Sequence, residues 1–348
     1  MDDSLQEMPN SVIVRRLTKS YGAVKAIDNV SFRIGKGEVV GFLGPNGAGK
    51  STTMRILAGL MPATSGSVHI CGISVAAYPE IARRHIGFMP ENNPLPEDLR
   101  VSEYLTFRAR IKDVPSAEVK KRVREAMEIC QLHHKAANKI IGNLSKGFRQ
   151  RVGIADAILS KPEVIIMDEP TIGLDPHQII AIRELINSLR GKMSVIISSH
   201  ILPEIELMCD RVMIINQGSI VASGTPESLR KDFISSDKYE VSLKSPPEEF
   251  KKVVGQIGRG LSIEKLLRTS SDGYFDYLLK SSIRGDLGCE LISELSKDTR
   301  FAVRAVAYKK PSLEDIFMAA TRRSWEQVSK LKADNSEFVR ESGGGNGR

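Results

Sequence analysis

From about Ser11 to Asp232, short apolar runs alternate with stretches whose apolar positions recur at helical spacing, the pattern of a mainly parallel sheet flanked by helices. Three runs, Val39-Val40-Gly41-Phe42-Leu43, Val164-Ile165-Ile166-Met167 and Val195-Ile196-Ile197, are continuous rather than alternating, which suits central strands covered on both faces. Each ends in polar residues. Between the first two, residues 117–132 place Val119, Val123, Ala126, Met127, Ile129 and Cys130 at helical intervals behind Pro115 and Ser116, which predicts an all-helical insertion. Arg211 to Ile215 and Ser219 to Ala222, joined by Asn216-Gln217-Gly218, predict a hairpin that closes a first domain over 11–232.

Beyond Asp232 the pattern changes. Strands are predicted over 239–243, 263–269, 274–280 and 301–308, with helices over 247–257 and 286–295. The resulting order β-α-β-β-α-β is the ferredoxin-like arrangement, so a smaller α+β domain is expected over 238–321, with its last helix at 313–321. Residues 322–348, ending Ser342-Gly343-Gly344-Gly345-Asn346-Gly347-Arg348, have the composition of a disordered tail.

With 41% hydrophobic and 26% charged residues, the 348-residue chain is not globally disordered, and its length suits two domains. No apolar run approaches the roughly eighteen residues a spanning helix needs, so the chain is not expected to cross a bilayer itself. The acidic start Met1-Asp2-Asp3-Ser4-Leu5-Gln6-Glu7 lacks the basic segment and apolar core of a secretory signal, which points to the cytoplasm. The net charge of +8 is spread out: thirty basic against twenty-five acidic side chains over residues 1–235, and twenty against seventeen in the rest. Without a basic block or interleaved aromatics, no nucleic-acid partner is expected. Cys71, Cys130, Cys209 and Cys289 lie more than fifty residues apart, with no CxxC pair or nearby histidine array that would suggest a zinc site, so reduced, mostly buried thiols are expected. The histidines other than His200 show no ligand spacing, and His133-His134 are expected in solvent at a helix end.

The chemistry concentrates in Gly44-Pro45-Asn46-Gly47-Ala48-Gly49-Lys50-Ser51, which satisfies GxxxxGK[ST] directly after a predicted strand and before a predicted helix over 52–60. Backbone N–H groups converge on phosphate only where side chains leave room, which is the use of Gly44, Gly47 and Gly49; the helix dipole adds to the attraction. Lys50 is placed to reach the β and γ phosphates, Ser51 to offer a hydroxyl oxygen to Mg²⁺, and Thr52 to add a phosphate contact. A second half of such a site is an acidic strand end, and Asp168-Glu169 follow a buried apolar run. Asp168 is expected to orient Mg²⁺ through water, and Glu169 to polarise the water that attacks the γ phosphate.

Over Val12 to Asp232 these residues resemble the nucleotide-binding subunit of ATP-binding cassette (ABC) transporters. Leu144-Ser145-Lys146-Gly147-Phe148-Arg149-Gln150-Arg151 is similar to the family's signature motif, Asp175 lies in a segment like its D-loop, His200 ends a strand like its switch histidine, and Tyr21 matches the aromatic that stacks on adenine. The resemblance implies a P-loop α/β cassette with a helical insertion. It implies binding and hydrolysis of ATP with Mg²⁺, and a γ phosphate sensed by His200. It also implies that Ser145 and Gly147 contact the γ phosphate held by an opposite protomer, hence a homodimer or a heterodimer with a second cassette. Glu91 stands where the family usually has a Mg²⁺-sensing Gln, Lys146 where Gly is typical and Phe148 where Gln is typical. Glu91 still offers a hard oxygen to the ion and adds negative charge beside the phosphates. The run Pro90-Glu91-Asn92-Asn93-Pro94-Leu95, the signature Ser145-Lys146-Gly147-Phe148-Arg149-Gln150-Arg151 and the appended C-terminal domain are together most similar to exporters of the ABC-2 class, in particular gliding-motility-type ATPase subunits.

Such a subunit is expected at the cytoplasmic face of the membrane, held there by a separate transmembrane permease. The docking groove is expected near residues 91–107, where Leu95, Leu99, Tyr104, Leu105 and Phe107 offer apolar surface or, alternatively, pack the insertion. A different class of function is a soluble cassette ATPase acting on nucleic acid or ribosomes; relatives of that kind carry a long coiled-coil insertion or two cassettes in one chain, and neither is visible here. A third is a nucleotide-gated binding module with negligible turnover.

Overall fold

A computed structural model describes residues 10–132, 136–234, 236–245, 247–257, 260–282, 287–297 and 301–322. The N-terminal heptapeptide, His133, His134 and the tail beyond Arg322 lie outside the described residues, with the expectations attached to them. Two compact units divide the described chain, residues 10–226 and 227–322.

The first unit opens with β1 (Asn10–Tyr21), β2 (Val24–Gly35) and β3 (Val39–Leu43), followed by α1 (Lys50–Leu57), β4 (Ser65–Ile70), β5 (Ile73–Ser74), α2 (Pro79–Arg84) and β6 (Ile86–Met89). A helical segment holds α3 (Val101–Ile111), α4 (Val119–Ile129) and α5 (Lys146–Ile158). Then come β7 (Val164–Asp168), α6 (Pro176–Leu189), β8 (Ser194–Ser199), α7 (Leu202–Met208) and the hairpin β9 (Arg211–Asn216) and β10 (Ser219–Gly224). The six-stranded sheet runs β10-β9-β3-β8-β7-β6, parallel except for the edge strand β10. Its apolar runs are continuous because both faces are covered. Val40, Phe42, Ile166 and Ile196 share a buried cluster with Met54 and Leu57 of α1, whereas Gly41 abuts Ile205 and Cys209 at α7.

One departure from the expected single sheet is a separate antiparallel sheet, β2-β1-β4-β5. Its inward residues Val12, Val14, Leu17, Ile27, Val30, Phe32 and Ile34 join the same cluster over α1. The alternation that marks such strands slips, because the β1–β2 register shifts between Val14 and Leu17 and Arg16 takes a left-handed φ of 47°. Such a bulge moves the next inward residue from an even to an odd step.

Asp156, 7% exposed, ties the insertion together: Arg108 donates to both its carboxylate oxygens at 3.0 and 3.1 Å, and Lys112 pairs with it at 3.2 Å. A buried carboxylate is tolerable only with such partners.

The second unit begins with most of α8 (Pro226–Phe233) and continues through β11 (Asp237–Lys244), α9 (Pro247–Ile257), β12 (Leu261–Thr269), β13 (Phe275–Ser281), α10 (Gly288–Lys297), β14 (Ala302–Lys309) and α11 over 313–322. Its antiparallel sheet has the order β12-β13-β11-β14, the ferredoxin-like arrangement. Tyr239, Tyr277 and Phe250 are fully buried in its core, and the Tyr277 hydroxyl donates to Ser245 O at 2.7 Å, so the buried phenol keeps a partner.

The cysteines correct one expectation. Cys130 and Cys209 are buried, and burial pushes both thiols far above their ordinary pKa, but Cys71 and Cys289 are exposed. The exposed pair sits in a turn and in the first turn of a helix, where the apolar pattern has no hold.

Candidate functional site

Because β3, β8 and β7 are neighbours in the sheet, their C-terminal ends bring the glycine loop after β3 together with two segments more than a hundred residues further along the chain, His200 after β8 and Asp168-Glu169 at the end of β7. Glu91 follows β6, the next strand along. A cavity of about 690 Å³ lies over these ends, and Asn46, Gly47, Gly49, Lys50, Ser51, Thr52, Glu91, Glu169 and His200 all line it. This is the edge of an open α/β sheet where ligands bind.

The glycine loop is shaped by close backbone approach. A Cβ on Gly44 would stand 2.4 Å from Ile215 O, and one on Gly49 would stand 2.4 Å from Ala26 O, with Gly49 already at a left-handed φ of 104°. Gly47, at φ 78°, has open space around it. Two hydrogen bonds pin the loop, Ala48 N to Pro45 O at 3.1 Å and Gly218 N to Ala48 O at 3.0 Å. Gly49 caps α1, whose first turn carries no acidic side chain that would repel an anion. Lys50 is buried, its Nζ donating to Gly44 O at 2.7 Å and Pro45 O at 3.2 Å. Burial lowers its pKa, while the carboxylates of Glu169, Asp168 and Glu91 pull it back up.

At the acidic strand end, Ser198 of β8 is the organiser. Its hydroxyl donates to Asp168 Oδ1, and both its hydroxyl and its carbonyl accept from Glu169 N, at 2.9 and 3.2 Å. Those bonds hold Glu169 at φ 51°, a left-handed conformation that costs a non-glycine residue about 1–2 kcal/mol. His200 Nδ1 lies 2.8 Å from Glu169 Oε2. An ionised carboxylate only accepts, so Nδ1 carries the proton and Nε2 is left for another partner.

The oxygens of Ser51 and Glu91 at the cavity wall, with Asp168 beneath it at 2% exposure, are the hard donors that Mg²⁺ prefers. Asp168 does not line the cavity, and one of its oxygens is engaged by Ser198. Tyr21, Ser145, Gly147 and Asp175 also stand outside it. Tyr21 is 49% exposed, donates to Met61 Sδ at 2.9 Å and has Lys19 Nζ over its ring at 5.3 Å. Ser145 is the exposed N-cap of α5 and its side chain makes no capping bond. Gly147 packs against Gln178, whose backbone N–H is capped by Asp175 Oδ1 at 2.9 Å.

Ala26 and Ile172 also line the cavity, beyond the residues that the sequence motifs mark. Ile172 follows the acidic pair by three residues, so its place at the site is signalled by that contiguous segment. Ala26 has no chemical signal; it arrives through the pairing of β2. Of the five apolar residues expected to dock a partner, Leu95, Tyr104 and Leu105 are buried in the insertion and Leu99 is half-buried, so packing claims them. Phe107 is 55% exposed, as is Ile111 one turn along α3.

Comparison with known proteins identifies the same chemistry. The family described as ABC transporter matches residues 27–172. Nod factor export ATP-binding protein I of Sinorhizobium fredii is 31% identical over 328 residues, which is 92% of this chain and 90% of that protein. A solved ATP-binding subunit of an ABC transporter superposes with a TM-score of 0.58 at 34% identity, over 64% of this chain and 92% of its own. A dimeric ATP-binding cassette in a post-hydrolysis state with ADP and Pi superposes with a TM-score of 0.56 at 28% identity, over 62% of this chain and 98% of its own. Among the described residues, no helix is long and apolar enough to cross a membrane. With likeness running through nine-tenths of both chains to the Nod factor protein, and a fold shared with solved cassettes, the chain belongs to the ABC transporter family as one of its ATP-binding and ATP-hydrolysing subunits.

Proposed function

We propose that two such cassettes, two copies of this chain or this chain with a second one, close on ATP and drive a separate transmembrane permease from the cytoplasmic face of the membrane. The observation that carries this is the incompleteness of the cavity. Lys50, Ser51, Thr52, Glu169 and His200 line it, whereas Ser145 and Gly147, at the start of the thirteen-residue helix α5, do not. An exposed helix start whose N-cap hydroxyl is not spent on capping is an anion site. A second protomer bringing that helix to the γ phosphate completes the charge balance, and each chain offers one half of each site. The dimeric state of the solved post-hydrolysis cassette supports this arrangement.

Within the closed site, the loop N–H groups and Lys50 hold the β and γ phosphates, and Tyr21 stacks on the adenine. Glu169 takes the proton of the attacking water, held on its other side by His200. Mg²⁺, carried by Ser51 and Glu91 with Asp168 behind them, supplies neutralisation of the developing phosphate charge. Asp175 sets the start of α6, and through Gln178 the packing of Gly147. Phe107 and Ile111, one turn apart on α3, form the apolar edge offered to the permease. The name of the Nod factor relative supports export as the direction of transport.

The test is sedimentation of the Glu169→Gln variant with ATP and Mg²⁺. Doubling of the mass, reversed when Ser145 is also changed to Arg, is the expected result. A variant that stays single in solution and beside its membrane subunit would overturn the proposal.

A further inference from the structure

Cys71, His85 and Glu163, separated by fourteen and seventy-eight residues in the chain, meet on the surface of the first unit with one ligand atom from each within 4.8 Å of the others. His85 Nδ1 lies 2.9 Å from Glu163 Oε2. None of the three lines the nucleotide cavity. We propose that they form a site for a borderline-soft divalent cation, zinc foremost.

A thiolate, an imidazole and a carboxylate are each ordinary zinc ligands, with bond lengths of about 2.0–2.3 Å that set neighbouring donor atoms about 3–4 Å apart. Donors within 4.8 Å close to that spacing by side-chain rotation. The backbone at all three points is already pinned. Cys71 N donates to Ser11 O at 2.8 Å, Ser194 N to Glu163 O at 2.8 Å, and Val164 N to His85 O at 3.0 Å. The backbone positions of the three ligands are therefore set by the fold, and side-chain rotation alone completes the site.

The choice of residue at 71 points the same way. Cys71 and Gly72 form the two-residue turn between β4 and β5, with Ile70 paired to Ile73 and φ values of 48° and 82°. Positive φ at both positions favours Asn or Gly, and a cysteine there carries the left-handed cost without helping the turn. Cys71 is exposed and His85 half-buried, so an ion enters from solvent; three protein ligands leave a fourth position for water or another ligand. The β4–β5 turn belongs to the antiparallel sheet, while His85 and Glu163 directly precede β6 and β7 of the parallel one. A bound ion would tie the two sheets together. Mg²⁺ prefers an all-oxygen shell, so the metal of the nucleotide site does not compete here.

Cobalt(II) titrated into the full chain, in excess Mg²⁺ and without nucleotide, reports the site directly. One equivalent is expected to give thiolate-to-cobalt charge transfer and the strong visible bands of a four-coordinate ion, bleached by zinc. Cys71→Asn, which suits the turn, removes the charge-transfer band, Cys289→Ser retains it, and His85→Gln and Glu163→Gln each weaken cobalt binding by about tenfold or more. Zinc raises the Tm of the wild type and leaves that of Cys71→Asn unchanged. No band in the wild type, an undiminished band in Cys71→Asn, or equal zinc shifts in both proteins would overturn the proposal.

Discussion

His200 meets Glu169 across the ends of two neighbouring strands, Nδ1 to Oε2 at 2.8 Å, with the histidine side chain 50% exposed and the carboxylate 9%. The more solvated group thus holds the more buried one. Glu169 is fixed twice, through its backbone N–H on Ser198 and through its carboxylate on His200. That leaves little freedom in where the base points.

Groups that act as a unit lose activity together. Glu169→Gln is expected to bind ATP as the wild type does and to hydrolyse it about 10²- to 10⁴-fold more slowly, the range for loss of a general base. His200→Ala lowers the rate as well, and the double variant is no slower than the slower single one. Phosphate release with separate nucleotide-binding measurements decides this; rate losses that multiply would show two independent roles.

Ser198→Ala takes the hydroxyl from the buried Asp168 carboxylate, while the Glu169 amide keeps the carbonyl of residue 198 as its acceptor. The expected cost is about 1–3 kcal/mol of unfolding free energy, the usual penalty for leaving a buried polar group without its partner. Turnover falls with it while the ATP Kd holds. Urea unfolding that shows no loss of stability would remove Ser198 from its organising place.

Two loop glycines separate strain from collision. Gly47→Ala meets nothing and pays the left-handed cost alone, about 1–2 kcal/mol. Gly49→Ala adds a Cβ 2.4 Å from the Ala26 carbonyl, so backbone must move and the cradle with it. The second variant is expected to lose ATP binding and to unfold at clearly lower denaturant than the first. Equal midpoints would mean that the β2 backbone yields freely.

What the sequence makes legible follows from how far the signal travels along the chain. Gly44 to Ser51 and Asp168-Glu169 are contiguous, so their chemistry can be read directly, and the apolar runs before them identify central strands. Ala26 cannot be found that way, since it reaches the phosphate loop only through sheet pairing. Leu17 and Val30 belong to strands whose alternation is interrupted by left-handed residues at Arg16 and Asn29, so the antiparallel sheet does not stand out as a period of two. The Cys71, His85 and Glu163 cluster is hidden for a plainer reason: ligand spacing rules read neighbours in sequence, and these residues are neighbours only across two sheets.

Lys50 gives the site a pH dependence of calculable sign. Burial holds its pKa below the ordinary 10.5, with Glu169, Asp168 and Glu91 limiting the drop. Without nucleotide, the unfolded chain binds more protons than the folded one between that lowered value and 10.5, so the contribution of Lys50 to stability rises with pH across the window. Nucleotide affinity runs the other way. The ammonium attracts phosphate only while protonated, so the ATP Kd should climb as pH passes the lowered value, earlier than an ordinary lysine would allow. In Lys50→Arg the charge persists through the whole range, and binding, weaker near neutrality because the fork does not fit the lysine position, should stay level. Titrating ATP affinity of both proteins from about pH 7 to about pH 10 makes the comparison. A wild-type affinity as level as the arginine variant's would show that Lys50 stays charged throughout and that its burial does not govern phosphate binding.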